Sequence, residues 1–142
     1  MENNLIAKST ISINTPVSKV WDALVNPELI KQYLFGTEAI SDWRVGSSIV
    51  YKGTWQGKTY EDKGTILELV PEKLLVTTYW SSMAGQADIP ENYKKVTYKL
   101  NSENNQTILT ITNDNNESEE ARNHSQKNWD MVLSSLKDLL EK

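Results

Sequence analysis

Apolar and polar residues recur along this chain with two periods, and each change of period marks a new element. From residue 5 to 14 the period is two, with Leu5, Ala7, Ile11 and Ile13 on one side and Lys8, Thr10, Ser12 and Asn14 on the other. That predicts a half-buried strand. Thr15-Pro16 and Asn26-Pro27 then punctuate two short helices, the first carrying Val17, Val20, Trp21 and Leu24 and the second Leu29, Ile30, Tyr33 and Leu34. In each pair the polar residue reads as the cap and the proline as the first helical position. Period two then returns. Ile49, Tyr51, Gly53 and Trp55 share a face within 48–56, Gln56-Gly57-Lys58 reads as a hairpin turn, and 59–70 as a long strand. Gly64 inside that strand marks a bulge, a bend or a close approach. After a turn at Pro71-Glu72-Lys73, Leu75, Thr77 and Tyr79 oppose Leu74, Val76, Thr78 and Trp80. A small, polar loop over 81–91 follows. Val96, Tyr98 and Leu100, then Leu109 and Ile111, give the last two strands.

The final stretch, 116–142, changes to a helical period. Stepping about 100° per residue, Trp129, Val132, Leu133, Leu136 and Leu140 form one stripe, and Ser125, Arg122 and Ser118 continue it towards the N-terminal end. One face is thus dry in its second half and polar in its first. Asn116 with Glu119 three residues later reads as a capping box. Acids crowd the first turns and Lys137 and Lys142 the last, the order a helix dipole favours. A sheet of about six antiparallel strands must bury one face, and this helix can fill its concave side. The class is α+β, with 1–142 read as a single domain.

Composition narrows the chemistry. The 142 residues include no cysteine, which removes disulfides, thiolate nucleophiles and cysteine-built zinc sites. A net charge of −4 with interspersed signs leaves no footprint for nucleic acid. No apolar run approaches the roughly 20 residues of a membrane span, and Met-Glu-Asn-Asn does not resemble a signal peptide. A cytoplasmic location is expected. Five Trp and six Tyr stand against one Phe. Side chains with an apolar body and a polar handle suit a pocket better than a plain core.

Enzyme signals are weak by comparison. Gly53-x-x-x-Gly57-Lys58-Thr59 is one residue short of a phosphate loop and sits in a hairpin, where a strand-loop-helix is needed. His124 lies on the helix side away from Trp129 and reads as solvated. Among Glu61, Asp62 and Glu68, alternation puts Asp62 and Glu68 on one face and Glu61 on the other; all three read as solvated strand carboxylates. No catalytic residue, metal ligand or cofactor is assigned. Arg122 on the inward stripe is the polar residue to follow, as anchor for a carboxylate or phosphate or as partner of an internal acid such as Glu68. Tyr51, Trp55, Trp80, Tyr98 and Trp129 are the candidate walls of a cavity, with Ser125 beside Arg122.

The order of elements, with Ile13-Asn14-Thr15-Pro16, Val20-Trp21-Asp22-Ala23-Leu24, Asn26-Pro27-Glu28, Trp43-Arg44-Val45-Gly46 and the run from Gly64 to Pro71, resembles the START/Bet v-like (SRPBCC) superfamily. Within it the chain is similar to the family named after the activator of heat-shock-protein 90 ATPase, in its C-terminal domain. Tyr33 stands where that family often has Trp, and the co-chaperone's N-terminal domain has no counterpart in this sequence. The resemblance implies a helix-grip fold. It also implies a small apolar or amphipathic molecule held non-covalently between sheet and long helix. A co-chaperone-like module binding a chaperone or another protein is the alternative, and a cyclase- or hydrolase-type enzyme the third reading. Fold alone does not choose among them.

Overall fold

Period-two segments do become strands, and each pairs with the next in an antiparallel meander that the first strand closes from the far side. The computed structural model describes residues 5–82 and 85–141, with the side chain of Trp55 outside the described residues. The elements run β1 (Ala7–Ile13), α1 (Val17–Val25), α2 (Pro27–Tyr33), β2 (Glu38–Ser41), β3 (Ser48–Trp55), β4 (Lys58–Val70), β5 (Leu74–Ser81), β6 (Lys94–Glu103), β7 (Gln106–Asn113) and α3 (Glu119–Leu140). The strands form one seven-stranded sheet in the order β1-β7-β6-β5-β4-β3-β2. The fold is α+β of helix-grip type. The strand beyond the expected six is β2, a four-residue edge element too short to show a period.

Register decides which side chains face inward. Ala7 pairs with Asn113 and Ile13 with Thr107; Val96 pairs with Asn113 and Leu100 with Leu109. Tyr98 stands opposite Leu75, Asp62 opposite Ser81, and Tyr51 opposite Asp62. The same face therefore carries Ile11, Ile111, Tyr98, Leu75, Tyr79, Asp62 and Tyr51. Gly64 marks a close approach, since a Cβ there would lie 1.7 Å from the backbone oxygen of Thr78. Beyond it the register shifts between Ile66 and Glu68. This bulge corrects the simple alternation: Leu69, not Glu68, rejoins the inner face, and Glu68 is exposed.

α3 runs along β1 in the same direction. Ser9 Oγ donates to Asp130, Lys137 Nζ donates to the Ser12 carbonyl (2.7 Å), and the Asn14 amide donates to Glu141 (2.7 Å). Leu133 and Leu136 are fully buried with Ile13, Val20, Leu24, Ile30, Leu109 and Ile111. Ile49, Ile66 and Leu75 form a second cluster, and Trp21, Trp43, Tyr51 and Tyr98 pack against both.

Two expected caps are shifted. Pro16, not Thr15, occupies the cap position of α1, and Thr15 is buried with its carbonyl accepting from Thr107 Oγ1 (2.9 Å). Asn26 does cap α2, accepting from the Glu28 amide (3.0 Å). At α3 the cap is Ser118, whose hydroxyl accepts from the Ala121 amide (3.0 Å). Asn116 is instead fully buried. Its Nδ2 donates to the carbonyls of Leu5 (2.9 Å) and Asn113 (2.8 Å), and its Oδ1 accepts from Ser125 Oγ (3.0 Å).

Candidate functional site

The polar side chains that the register brings inward collect on β3–β6 at the end of the sheet where α3 begins. Tyr79 Oη donates to Asp62 Oδ2 (2.8 Å), and the hydroxyls of Tyr51 and Tyr98 hydrogen-bond to each other. Behind them Tyr33, on α2, donates to the Ala23 carbonyl (2.9 Å). Burial pushes the phenols of Tyr33, Tyr51, Tyr79 and Tyr98 above their ordinary range, so all four stay protonated. Burial also raises the Asp62 carboxyl, opposed by hydrogen bonds from Ser81 and Tyr79. Tyr51, Asp62, Tyr79, Tyr98 and Trp129 are each only half-buried, so the face they form retains accessible surface. Asp62 was read from the sequence as a solvated strand carboxylate; it lies among these tyrosines because Tyr51 and Ser81 flank it in register.

The helix touches this face through an aromatic contact. Trp129 meets Tyr98 edge to face, with ring centroids 5.9 Å apart. Two turns earlier Arg122 is half-buried, and its Nε is buried without a hydrogen-bond partner. Its Nη2 reaches only Asn123 Oδ1, at 3.4 Å. Among the described residues Arg122 makes no ion pair, with Glu68 or any other acid. Ser125 is engaged by Asn116.

Three of the residues singled out from the sequence are therefore brought to one place, Tyr51, Tyr98 and Trp129, while Arg122 lies two turns before Trp129 on the same helix. Trp80 is not among them. It stands on the opposite face of β5, under the ammonium of its cross-strand neighbour Lys63 (5.5 Å), and its indole N–H donates to the carbonyls of Gln86 and Ala87. Lys63 is in turn paired with Asp88 (2.5 Å), which also accepts from Tyr93 Oη (2.5 Å). Trp80 thus fastens the 86–93 loop to the outer face. Trp55 pairs with Lys58 at the tip of the β3–β4 hairpin, and its side chain lies outside the described residues. His124 is exposed, as its helix position implied.

A separate open concavity of about 850 Å³ lies between the end of α2 and the β3–β4 hairpin, bordered by Lys31, Phe35, Lys52 and Tyr60. No sequence signal marked it. Tyr60 lies over Gly53, where any Cβ would collide with its ring, and its hydroxyl meets Thr37 Oγ1 (2.5 Å).

Against known families, residues 14–141 match the profile described as activator of Hsp90 ATPase homolog 1-like protein. The chain belongs to that family. A protein of Cytophaga hutchinsonii, ChR145, known from a solution structure, is 49% identical over 99% of this chain and 97% of its own, with a TM-score of 0.86. The Aha1 dimer from Colwellia psychrerythraea has a TM-score of 0.76 at 23% identity, covering 96% of each chain. DynU16, from the dynemicin biosynthetic locus, has a TM-score of 0.81 at 17% identity; it covers 96% of this chain, which spans 47% of that protein. These last two likenesses speak for the fold alone. No curated protein matches. Among the described residues of this family member no helix is long and apolar enough to cross a membrane.

Proposed function

We propose that this protein binds a small amphipathic molecule non-covalently between the sheet and α3. The carrying observation is the Arg122 Nε, buried without a hydrogen-bond partner on the helix whose Trp129 meets Tyr98 of the half-buried aromatic face. A guanidinium in that setting favours a ligand acceptor, because an unpaired buried donor is costly. Tyr98 and Trp129 contact the apolar body, Tyr51 adds a hydroxyl, and Ser125 orients Asn116 behind Arg122. The interior of a cytoplasmic carrier or sensor would have this character. Native mass spectrometry of the purified protein should reveal a retained adduct. In calorimetric titration, Arg122→Leu should weaken binding of amphipathic acids by about 1.5–3 kcal/mol while leaving thermal stability nearly unchanged. Equal affinities would remove Arg122 from the site.

A co-chaperone-like role is the second reading, favoured by the family and by exposed Phe35, Ile40 and Val45 around the edge strand β2. On the primary reading the protein does not by itself strongly stimulate the ATPase of the heat-shock-protein 90 chaperone. A several-fold stimulation at stoichiometric protein would reverse the ranking.

A further inference from the structure

Asp62 places a carboxyl on the inner face of the sheet, and no Lys, Arg or His among the described residues pairs with it. The ion pairs there are made by other acids: Lys52 with Glu61, Lys63 with Asp88, and Lys137 with Glu141. Glu61 and Lys63, the chain neighbours of Asp62, belong to the opposite face by strand alternation. Tyr51 on β3 and Ser81 on β5 stand directly across from Asp62 in register. Tyr79 and Ser81 both donate to the carboxyl, Tyr79 to Oδ2 at 2.8 Å. Oδ1 is buried with no hydrogen-bond partner. Tyr51 and Tyr79 stay protonated, so the carboxylate is the one charge this group of side chains carries. α3 packs mainly on β1, α1 and α2 rather than on β4, and Asp62, Tyr51 and Tyr79 each keep part of their surface exposed.

We propose that the Asp62 carboxylate is the recognition point for a primary ammonium group, carried by a small amine with an apolar body. The ammonium donates to Oδ1 in a charge-assisted hydrogen bond, and the flanking rings of Tyr51 and Tyr79 offer cation–π attraction. A neutral donor would fill the hydrogen bond and leave the desolvated negative charge uncompensated. An anion would meet like charge. A cation answers both needs. Burial penalises the charged carboxyl, and an opposite charge at Oδ1 offsets that penalty. With Asp62 and both rings half-exposed, the group enters from the open side of the face. The inference goes beyond the amphipathic-acid reading above: it concerns a different group, of opposite charge, and makes no use of Arg122.

The test is an NMR titration of the full chain at neutral pH with phenethylamine, phenethyl alcohol and hydrocinnamate, which share a phenylalkyl body and differ in charge. Backbone amide shifts report affinity and place together. The amine should bind about tenfold more tightly than the alcohol, with the largest shifts at Asp62, Tyr79 and Ser81. In Asp62→Asn that preference should fall to near parity. Equal binding of amine and alcohol by the wild type overturns the inference. So do an absence of amine binding, amine shifts confined to other strands, and a preference that survives in Asp62→Asn. Tighter binding of hydrocinnamate than of the amine overturns it as well and leaves the Arg122 reading standing. Thermal unfolding accompanies the variant; should Asp62→Asn fail to fold, the wild-type comparison and the mapped shifts decide the matter.

Discussion

Two glycines on β3 and β4 look alike in sequence and differ in what a methyl group would meet. At Gly64 the obstacle is the Thr78 backbone oxygen, which cannot move without parting β4 from β5. At Gly53 it is the Tyr60 ring, the far part of a side chain that can swing aside. Gly64→Ala should therefore cost about 2–3 kcal/mol, and Gly53→Ala about 1 kcal/mol, mainly the lost Tyr60–Thr37 hydrogen bond. Urea unfolding of both variants checks the order; similar losses would mean the two strands yield equally. Asp62 and Arg122 show the limits of residue-level reading from the other side. Helical stepping put Arg122 on the stripe of Trp129, and its Nε is buried although the residue as a whole is half-exposed. The place of Asp62 was not legible, because strand carboxylates are usually wet and nothing local says that Tyr79, seventeen residues on, donates to this one.

At the scale of the elements, periodicity located both short helices, the long helix and six strands. It failed where an element is shorter than its period or where the backbone breaks step. β2 has four residues, and the bulge after Ile66 moves Glu68 to the outer side. The start of α3 shows why a motif match can mislead. Asn116 and Glu119 have capping-box spacing, yet a buried amide bridging Leu5, Asn113 and Ser125 contributes more than a solvent-facing cap, and Ser118 takes over two residues later. The assignments differ in expected cost. Ser118→Ala should lose about 1 kcal/mol, whereas Asn116→Ala removes three hydrogen bonds of a buried side chain, to Leu5, Asn113 and Ser125, and should lose about 2–3 kcal/mol. If chemical denaturation gave the larger loss for Ser118→Ala, Asn116 would have to be reassigned as the cap.

For the whole molecule, two carboxyls set opposing responses to pH. Asp62 is held above the ordinary carboxylate range, so between its unfolded and native pKa the folded chain binds more protons. Its contribution to stability therefore falls as pH rises through that window. Glu141 is held below, first by the Asn14 amide and then by Lys137; its contribution is present above the ordinary range and lost as pH falls through the native value. Asp62→Asn should thus gain in melting temperature relative to wild type as pH rises from acid to neutral, and Glu141→Gln should fall behind over the same range. A constant offset for Asp62→Asn across pH would show that its charge is not what burial penalises. The sheet order has a consequence in time as well as in space. β1 is made first, but its ladder partner β7 and its covering helix α3 are made last, with Thr10 and Thr110 paired across 100 residues. At a synthesis rate of about 5–20 residues per second, that strand waits roughly 5–20 s on the ribosome with neither neighbour available. The β3–β6 meander can pair as it emerges, whereas Ile11 and Ile13 stay uncovered until β7 arrives. Closure of this sheet thus waits on β7, and during that interval the exposure of the nascent chain to holdase chaperones and proteases is concentrated at β1.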